Sequence, residues 1–164
     1  MMIGGPIAVT QMIKDCITNE MNPEGLLKDV ESFVPAYRYE EEFEEPLIWL
    51  NETKTTGVDG NGTLFNKQLL QTSYEFYCTV YDEDIEQSEI LSKNLALRVA
   101  AAIKKNVLGE WDNDSYLYNK LLFDELSPSG IVEIVEKSDR AVTASIKITI
   151  QYYVDWNYLL RTEN

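Results

Sequence analysis

From Val142 to Trp156 the sequence alternates without a break. Val142, Ala144, Ile146, Ile148, Ile150, Tyr152, Val154 and Trp156 fall on one side, and Thr143, Ser145, Lys147, Thr149, Gln151 and Tyr153 on the other. A period of two is the period of a β-strand, not of a helix. A polar second face rules out a strand buried on both sides, as in a parallel sheet, and indicates an antiparallel sheet with one side packed and one side wet. Helices must then cover the packed side, so the chain is expected to be α+β: a single, mainly antiparallel sheet with two helices on one face. At about 3.3 Å per residue the stretch is roughly 50 Å long, against a usual ~17–20 Å. Two readings of its far end, Tyr152 to Tyr158, stand side by side: it outruns the body and needs a partner to bury its aromatics, or it bends back over the body.

The rest of the chain supplies the partners of that strand. Met12, Ile13, Cys16 and Ile17, with Val9 before them, fall at helical spacing, which predicts a first helix over about 7–20, stopped at Asn22-Pro23. Phe33 to Tyr39 reads as an edge strand, because Pro35 has no N–H to give a neighbour. Leu47 to Leu50 reads as a second short strand. The acids between them (Glu40, Glu41, Glu42, Glu44, Glu45) read as a solvated hairpin tip, or else as a contact surface for a basic partner. Residues 51–68 show no periodicity and carry the turn signals Asp59-Gly60 and Asn61-Gly62, predicting a long loop. Its charges cancel, Glu52 and Asp59 against Lys54 and Lys67, which fits a contact surface as well as plain flexibility.

Gln71 to Tyr81 alternates again, with Tyr74, Phe76, Cys78 and Val80 on the apolar side. Asp82-Glu83-Asp84 then opens a helix, since acids at a helix start satisfy free N–H groups and suit the positive end of the dipole. The helix is expected to run to about Val107 on a stripe of Leu91, Leu95, Val99, Ala102 and Ile103, with Lys104 and Lys105 near its end and Gly109 as its cap. Tyr116 to Phe123 reads as either a strand or a short helix. Ser127 to Gly130 reads as a turn, Ile131 to Glu136 as a strand, and Ser138-Asp139-Arg140 as a hairpin tip leading into the last strand. One domain is the default for 164 residues, here 1–164 with the 51–68 loop and a C-terminal extension over 152–164.

Composition excludes more functions than it selects. With 28 acidic and 14 basic residues the net charge is −14. Nucleic-acid affinity comes mainly from Lys and Arg neutralising phosphates, so direct nucleic-acid binding is not expected, and anionic membranes are disfavoured for the same reason. Met1 to Val9 lacks the basic start of a signal peptide, and no apolar run approaches the ~18 residues of a membrane span. Synthesis in a cytoplasm is expected. Cys16 and Cys78, the two cysteines, fall on apolar faces and read as small hydrophobes.

Histidine is absent. That removes the commonest general base and every Ser–His or Cys–His arrangement. Two isolated cysteines do not make a zinc site, and neither phosphate-binding glycine motif is present. Asp59 to Thr63 resembles a calcium loop only briefly: counting from Asp59, glycine falls at the fourth position rather than the sixth, and the twelfth is Leu70 rather than Glu. Carboxylate pairs are plentiful, as 28 acids make them by chance, and no motif marks two of them. Three N-x-S/T matches (Asn51, Asn61, Asn113) read as accidental in the absence of a secretion signal. No catalytic residue, no metal ligand and no cofactor is assigned, and the chain is expected to bind other proteins rather than to catalyse.

The element order is helix, strand pair, loop, strand, long helix, irregular segment and closing hairpin. It resembles the tail-terminator, or tail-completion, family of bacteriophage neck proteins. The likeness is carried by Tyr74-Glu75-Phe76-Tyr77-Cys78-Thr79-Val80-Tyr81 followed at once by the acid-opened helix Glu86 to Lys105, by Gly109-Glu110-Trp111, and by the closing strand Thr143 to Tyr153. The resemblance implies a virion protein that caps the tail tube as a homo-oligomeric ring, commonly a hexamer, with the tail tube protein and the head–tail connector proteins as partners. It assigns no active site and no contact surface. The 51–68 segment and the aromatic end have no counterpart in the family pattern. Read from this chain alone, candidate contact residues are Thr55, Val58, Leu64 and Phe65 in the loop and Tyr152, Tyr153, Trp156 and Tyr158 at the end. Two alternatives stay open: another neck or head-completion protein, and an acidic mimic of nucleic acid that inhibits a DNA-binding enzyme.

Overall fold

A computed structural model describes residues 5–36, 42–57, 67–110, 118–124 and 132–155. Two helices, α1 (Gly5–Asn19) and α2 (Ile85–Glu110), accompany six strands: β1 (Ser32–Val34), β2 (Leu47–Gly57), β3 (Lys67–Tyr81), β4 (Tyr118–Asp124), β5 (Val132–Ser138) and β6 (Ala141–Asp155). The sheet runs β1-β2-β3-β6-β4, with β5 also on β6. β3 pairs with β6 from Lys67↔Asp155 to Tyr81↔Ala141, so it occupies one edge of β6 along its whole length. The other edge is shared: β5 takes residues 141–146 of β6 and β4 takes 149–153. All described pairings are antiparallel except β1 with β2. The α+β class and the one-sided covering of an antiparallel sheet are as the alternation of residues 142–156 requires.

The packed face is the even-numbered face of β3 and β6. Tyr74, Phe76, Cys78, Ala144, Ile146, Ile148, Ile150, Tyr152 and Val154 are buried in one core with Val9, Ile13, Cys16 and Ile17 of α1 and Leu95, Val99, Ala102 and Ile103 of α2. Small buried residues on α2 (Ser88, Ser92, Ala96, Ala100) let it lie close to the strands. Cys16 and Cys78 are buried and form no disulfide, and burial pushes the Cys78 thiol well above its ordinary pKa.

The start of α2 is fixed by its acids. Asp84 Oδ1 accepts from the Glu86 N–H at 3.0 Å, and Asp82 Oδ1 from that of Asp84 at 2.9 Å. Ser88 Oγ accepts from the Asp82 N–H at 2.7 Å and donates to the Arg140 carbonyl at 2.6 Å, which ties the helix start to the β5–β6 turn. That turn lies at Asp139-Arg140, where Asp139 has φ 55°, a region aspartate enters more readily than most residues.

The segment between α1 and β1 is held by Glu20. Its buried carboxylate accepts from Lys105 Nζ at 2.8 Å, the Leu26 N–H at 2.9 Å and Asn106 Nδ2 at 3.1 Å. These bonds, the one from Lys105 first, lower its pKa to about 2. Gly25 passes so close that a Cβ there would meet the Glu20 carbonyl oxygen at 2.0 Å, so only glycine fits. A second tie, Arg98 to Asp29 through two guanidinium–carboxylate bonds, lowers the Asp29 pKa.

Four sequence expectations are corrected. The first is the hairpin between Phe33 and Leu50. Ser32↔Leu47, Phe33↔Ile48 and Val34↔Trp49 pair in parallel, which a hairpin cannot produce, and β1 ends at Val34 as the chain bends at Pro35. The second is the 51–68 loop. Residues 51–57 continue β2 and residues 67–68 begin β3, paired through Glu52↔Glu75, Lys54↔Ser73 and Gly57↔Leu70. The third is the start of the C-terminal extension, for which overrunning and bending back were both open: Tyr152 to Asp155 lie in the sheet, against residues 67–70 of β3, and residues 156–164 lie outside the described residues. The fourth is the Gly109 cap, since α2 continues through Glu110. Tyr118–Asp124 resolves as a strand where the sequence left strand and helix open. The calcium-like loop at 59–63 and the Ser127–Gly130 turn lie outside the described residues.

Candidate functional site

The odd-numbered face of the same strands lies away from both helices; Lys54, Thr56 and Lys147 are exposed on it, whereas Leu47, Trp49, Thr79, Thr143 and Ser145 are buried. The register defines it: Thr79, Tyr77, Glu75, Ser73 and Gln71 of β3 stand beside Thr143, Ser145, Lys147, Thr149 and Gln151 of β6. On β2 a register shift between Leu50 and Glu52 inserts one residue. That bulge puts Leu47 and Trp49 on this face before it and Lys54 and Thr56 on the same face after it.

Polar groups on this face bond one another across the β3–β6 seam. Thr79 and Thr143 hydroxyls lie 2.7 Å apart, Ser73 and Thr149 hydroxyls 3.1 Å apart, and Gln151 Nε2 donates to Gln71 Oε1 at 3.2 Å. Trp49 packs on Tyr77 with ring centroids 5.1 Å apart, tilted at 58°.

Two shallow clefts lie along the face, one at its Thr79–Thr143 end and one near the middle of β3 and β6. One, of about 440 Å³, is lined by Leu47 and Trp49, by Thr79 and Thr143, and by the carboxylates of Glu42, Glu45 and Glu136. Partial burial raises the pKa of Glu45. Among the described residues no Lys or Arg lines it. The other, of about 250 Å³, is lined by Lys54, Thr56, Gln71, Ser73, Glu75 and Lys147. Lys54 and Lys147 are exposed, and neither makes an ion pair among the described residues. The six positions of β3 from Thr79 to Ser73 put the two clefts roughly 20 Å apart along the strands.

Of the sequence-selected contact residues that are described, the structure brings Thr55 and Tyr152 to one shared partner, the Thr72 hydroxyl, on the helix side of the sheet. Tyr152 is 1% exposed. It belongs to the core, where its hydroxyl lies 2.6 Å from Thr72 Oγ1, and it is withdrawn as a contact residue. Thr55 is exposed on β2, on the helix side of the sheet, with its hydroxyl 2.9 Å from the same Thr72 oxygen. Tyr153 sits on β6 opposite Leu69 and Tyr118. Val58, Leu64, Phe65, Trp156 and Tyr158 lie outside the described residues.

Sequence reasoning missed the pairing of Lys54 with Lys147. The alternation of β6 placed Lys147 on the polar face, but Lys54 stood in a segment read as loop. Its facing depends on the bulge after Leu50, which no local pattern announces.

Among the described residues no group of three or more Cys, Asp or Glu side chains has metal-binding geometry. No helix of the described residues is long and apolar enough to cross a membrane. Comparison of the sequence with protein-family models and with curated proteins returns no match.

Proposed function

We propose that this chain is a structural protein of the phage neck, a tail terminator that closes into a ring on the end of the tail tube and joins it to the head connector. The observation that carries the reading is the one-sided sheet. Two fifteen-residue strands, β3 and β6, are packed against helices on one face and carry mostly polar side chains, with two clefts bearing charged groups, on the other. Such a surface suits contacts between subunits and with a tube. The element order supports the same reading, and so does the lack of histidine in a chain with no recognised catalytic motif.

Charge sets when the ring forms. Copies with a net charge of −14 repel one another at long range. Closure therefore needs enough local contact to overcome the repulsion, salt to screen it, or the tube as template. The protein acts by binding, without a cofactor, and its place is the virion.

The test is mass by light scattering on a sizing column at low and at moderate salt, followed by negative-stain imaging. A closed ring of about six copies, favoured by moderate salt, is the expected result. A monomer at every salt and concentration that also fails to cap purified tail tubes contradicts the reading.

A further inference from the structure

The sheet has two open edges, and they lie at the same height. β1 covers β2 at Leu47, Ile48 and Trp49 only. Beyond Trp49, among the described residues, β2 is paired on one side alone, with β3 up to Gly57↔Leu70. Lys54 and Thr56 share the face of Ser73 and Gln71, and Thr53 and Thr55 that of Tyr74 and Thr72, yet all four are exposed. Among the described residues, neither strand nor helix covers this half of β2, and roughly half of its N–H and C=O groups point outward. At the opposite edge β4 pairs with β6 through Tyr118↔Tyr153 and Asp124↔Thr149, and with no other described strand. Thr149 to Tyr153 stand opposite Ser73 to Leu69, and Ser73 to Leu70 opposite Lys54 to Gly57, which sets the two edges level.

We infer that copies of the chain join edge to edge, with β4 of one copy adding to the open half of β2 of the next. The occupant is a second copy because each copy carries both edges in matching form. β2, β3, β6 and β4 alternate in direction, so β2 and β4 run oppositely and a β4 laid against β2 makes an antiparallel pair. The open run 51–57 and β4 are each seven residues long. Neither contains proline, and Thr53, Thr55 and Thr56 suit a strand. The features that block edge pairing are few: a bulge that precedes the run, and one lysine, Lys54. A two-fold β2–β2 pair would leave both β4 edges open, whereas β4 on β2 uses one edge of each copy at every joint. That antiparallel joint keeps the helices of all copies on one side of the joined sheet and the open faces on the other. The inference deepens the ring reading and rests on it for closure, not for the contact, which an open chain of copies makes as well.

Hydrogen exchange read by mass spectrometry, over a concentration series of the whole chain at moderate salt, tests it. As copies associate, exchange should slow roughly tenfold in 51–57 and in 118–124 together, and stay unchanged in α1. Two proline variants then probe the contact. In an antiparallel edge strand the N–H groups of neighbouring residues point to opposite sides. One of Lys54→Pro and Thr55→Pro therefore removes an outward N–H, and the other removes a bond to β3. The outward variant should keep its denaturation midpoint close to wild type and weaken association at least about tenfold, while the other loses stability. The exchange experiment uses wild type and stands whichever proline variant folds. Association that leaves either segment unchanged overturns the inference; slowing of 51–57 alone marks a two-fold β2–β2 pair. So does an outward proline variant that associates like wild type, or a wild type that stays monomeric across the series. Slowing of 51–57 alone on adding purified tail tubes makes the tube the occupant and likewise overturns it. A ring with both edges unprotected overturns the edge contact and leaves the terminator reading standing, whereas open chains with both edges protected do the reverse.

Discussion

The two faces of β3 and β6 use the same backbone and the same register, and they differ in what each side chain must do. On the even face every position is held from several directions. Tyr74, Phe76, Ile146 and Ile148 are at most 1% exposed, wedged between sheet and helices. On the odd face the neighbours are other side chains of the sheet: Ser73 beside Thr149, Thr79 beside Thr143, Lys147 beside Glu75. The first face is specified by packing, which tolerates few substitutions. The second is free to be chosen for a partner.

Substitutions should separate the two faces by the size of their effects. Phe76→Ala, on the packed face, leaves a cavity under both helices and should cost about 3–5 kcal/mol in chemical denaturation. A loss below about 1 kcal/mol would mean that the packed face is not the scaffold. Glu20→Ala, at the edge of the packed layer, removes a buried carboxylate that holds Lys105, Asn106 and the Leu26 amide, and should cost about 2 kcal/mol. Its pH signature sharpens the point. The folded pKa, about 2, lies below the ordinary 4.5, so the stabilisation is complete above about 4.5 and is lost as pH falls from there toward 2. Glu20→Gln should therefore narrow its gap from wild type across that window in parallel acid titrations, and a gap independent of pH would assign the effect to shape instead.

Ser88→Ala should cost about 1–2 kcal/mol by unpairing the Asp82 amide and the Arg140 carbonyl at the α2 start. Lys147→Ala, on the open face, should change stability by less than about 0.5 kcal/mol in the same measurement. A larger loss would place Lys147 in the fold rather than at a contact.

Legibility in the sequence divides along the same line. β6 could be read because Ile146, Ile148 and Ile150 alternate with Lys147 and Thr149, and burial on one side alone produces that pattern. α2 could be read from Leu95, Val99 and Ile103 for the same reason, at helical spacing. Residues 51–57 could not. They belong to β2, yet Asn51, Thr53, Lys54, Thr55 and Thr56 are all exposed, so hydrophobic burial leaves no period to detect. The parallel β1–β2 pair was missed because direction is set by the path of the chain between strands, which short strands do not encode. Tyr152 was misassigned because an aromatic near the end of a long strand looks the same whether a partner or the chain's own core covers it. Here Thr72 and the core cover it. The lysine cleft joins Lys54 and Lys147 across three strands, and a pairing of that kind exists only once the register is known.

The most direct measurement of whether the open face carries the binding is thiol labelling. Cys16 and Cys78 are buried and contribute no background in the folded protein. Thr56→Cys places a thiol in the lysine cleft, and Leu97→Cys places one on the exposed side of α2. As protein concentration rises at moderate salt, the account predicts that labelling slows at position 56 and not at position 97. Slowing at 97 alone, or unchanged labelling at both while the protein associates, would contradict it.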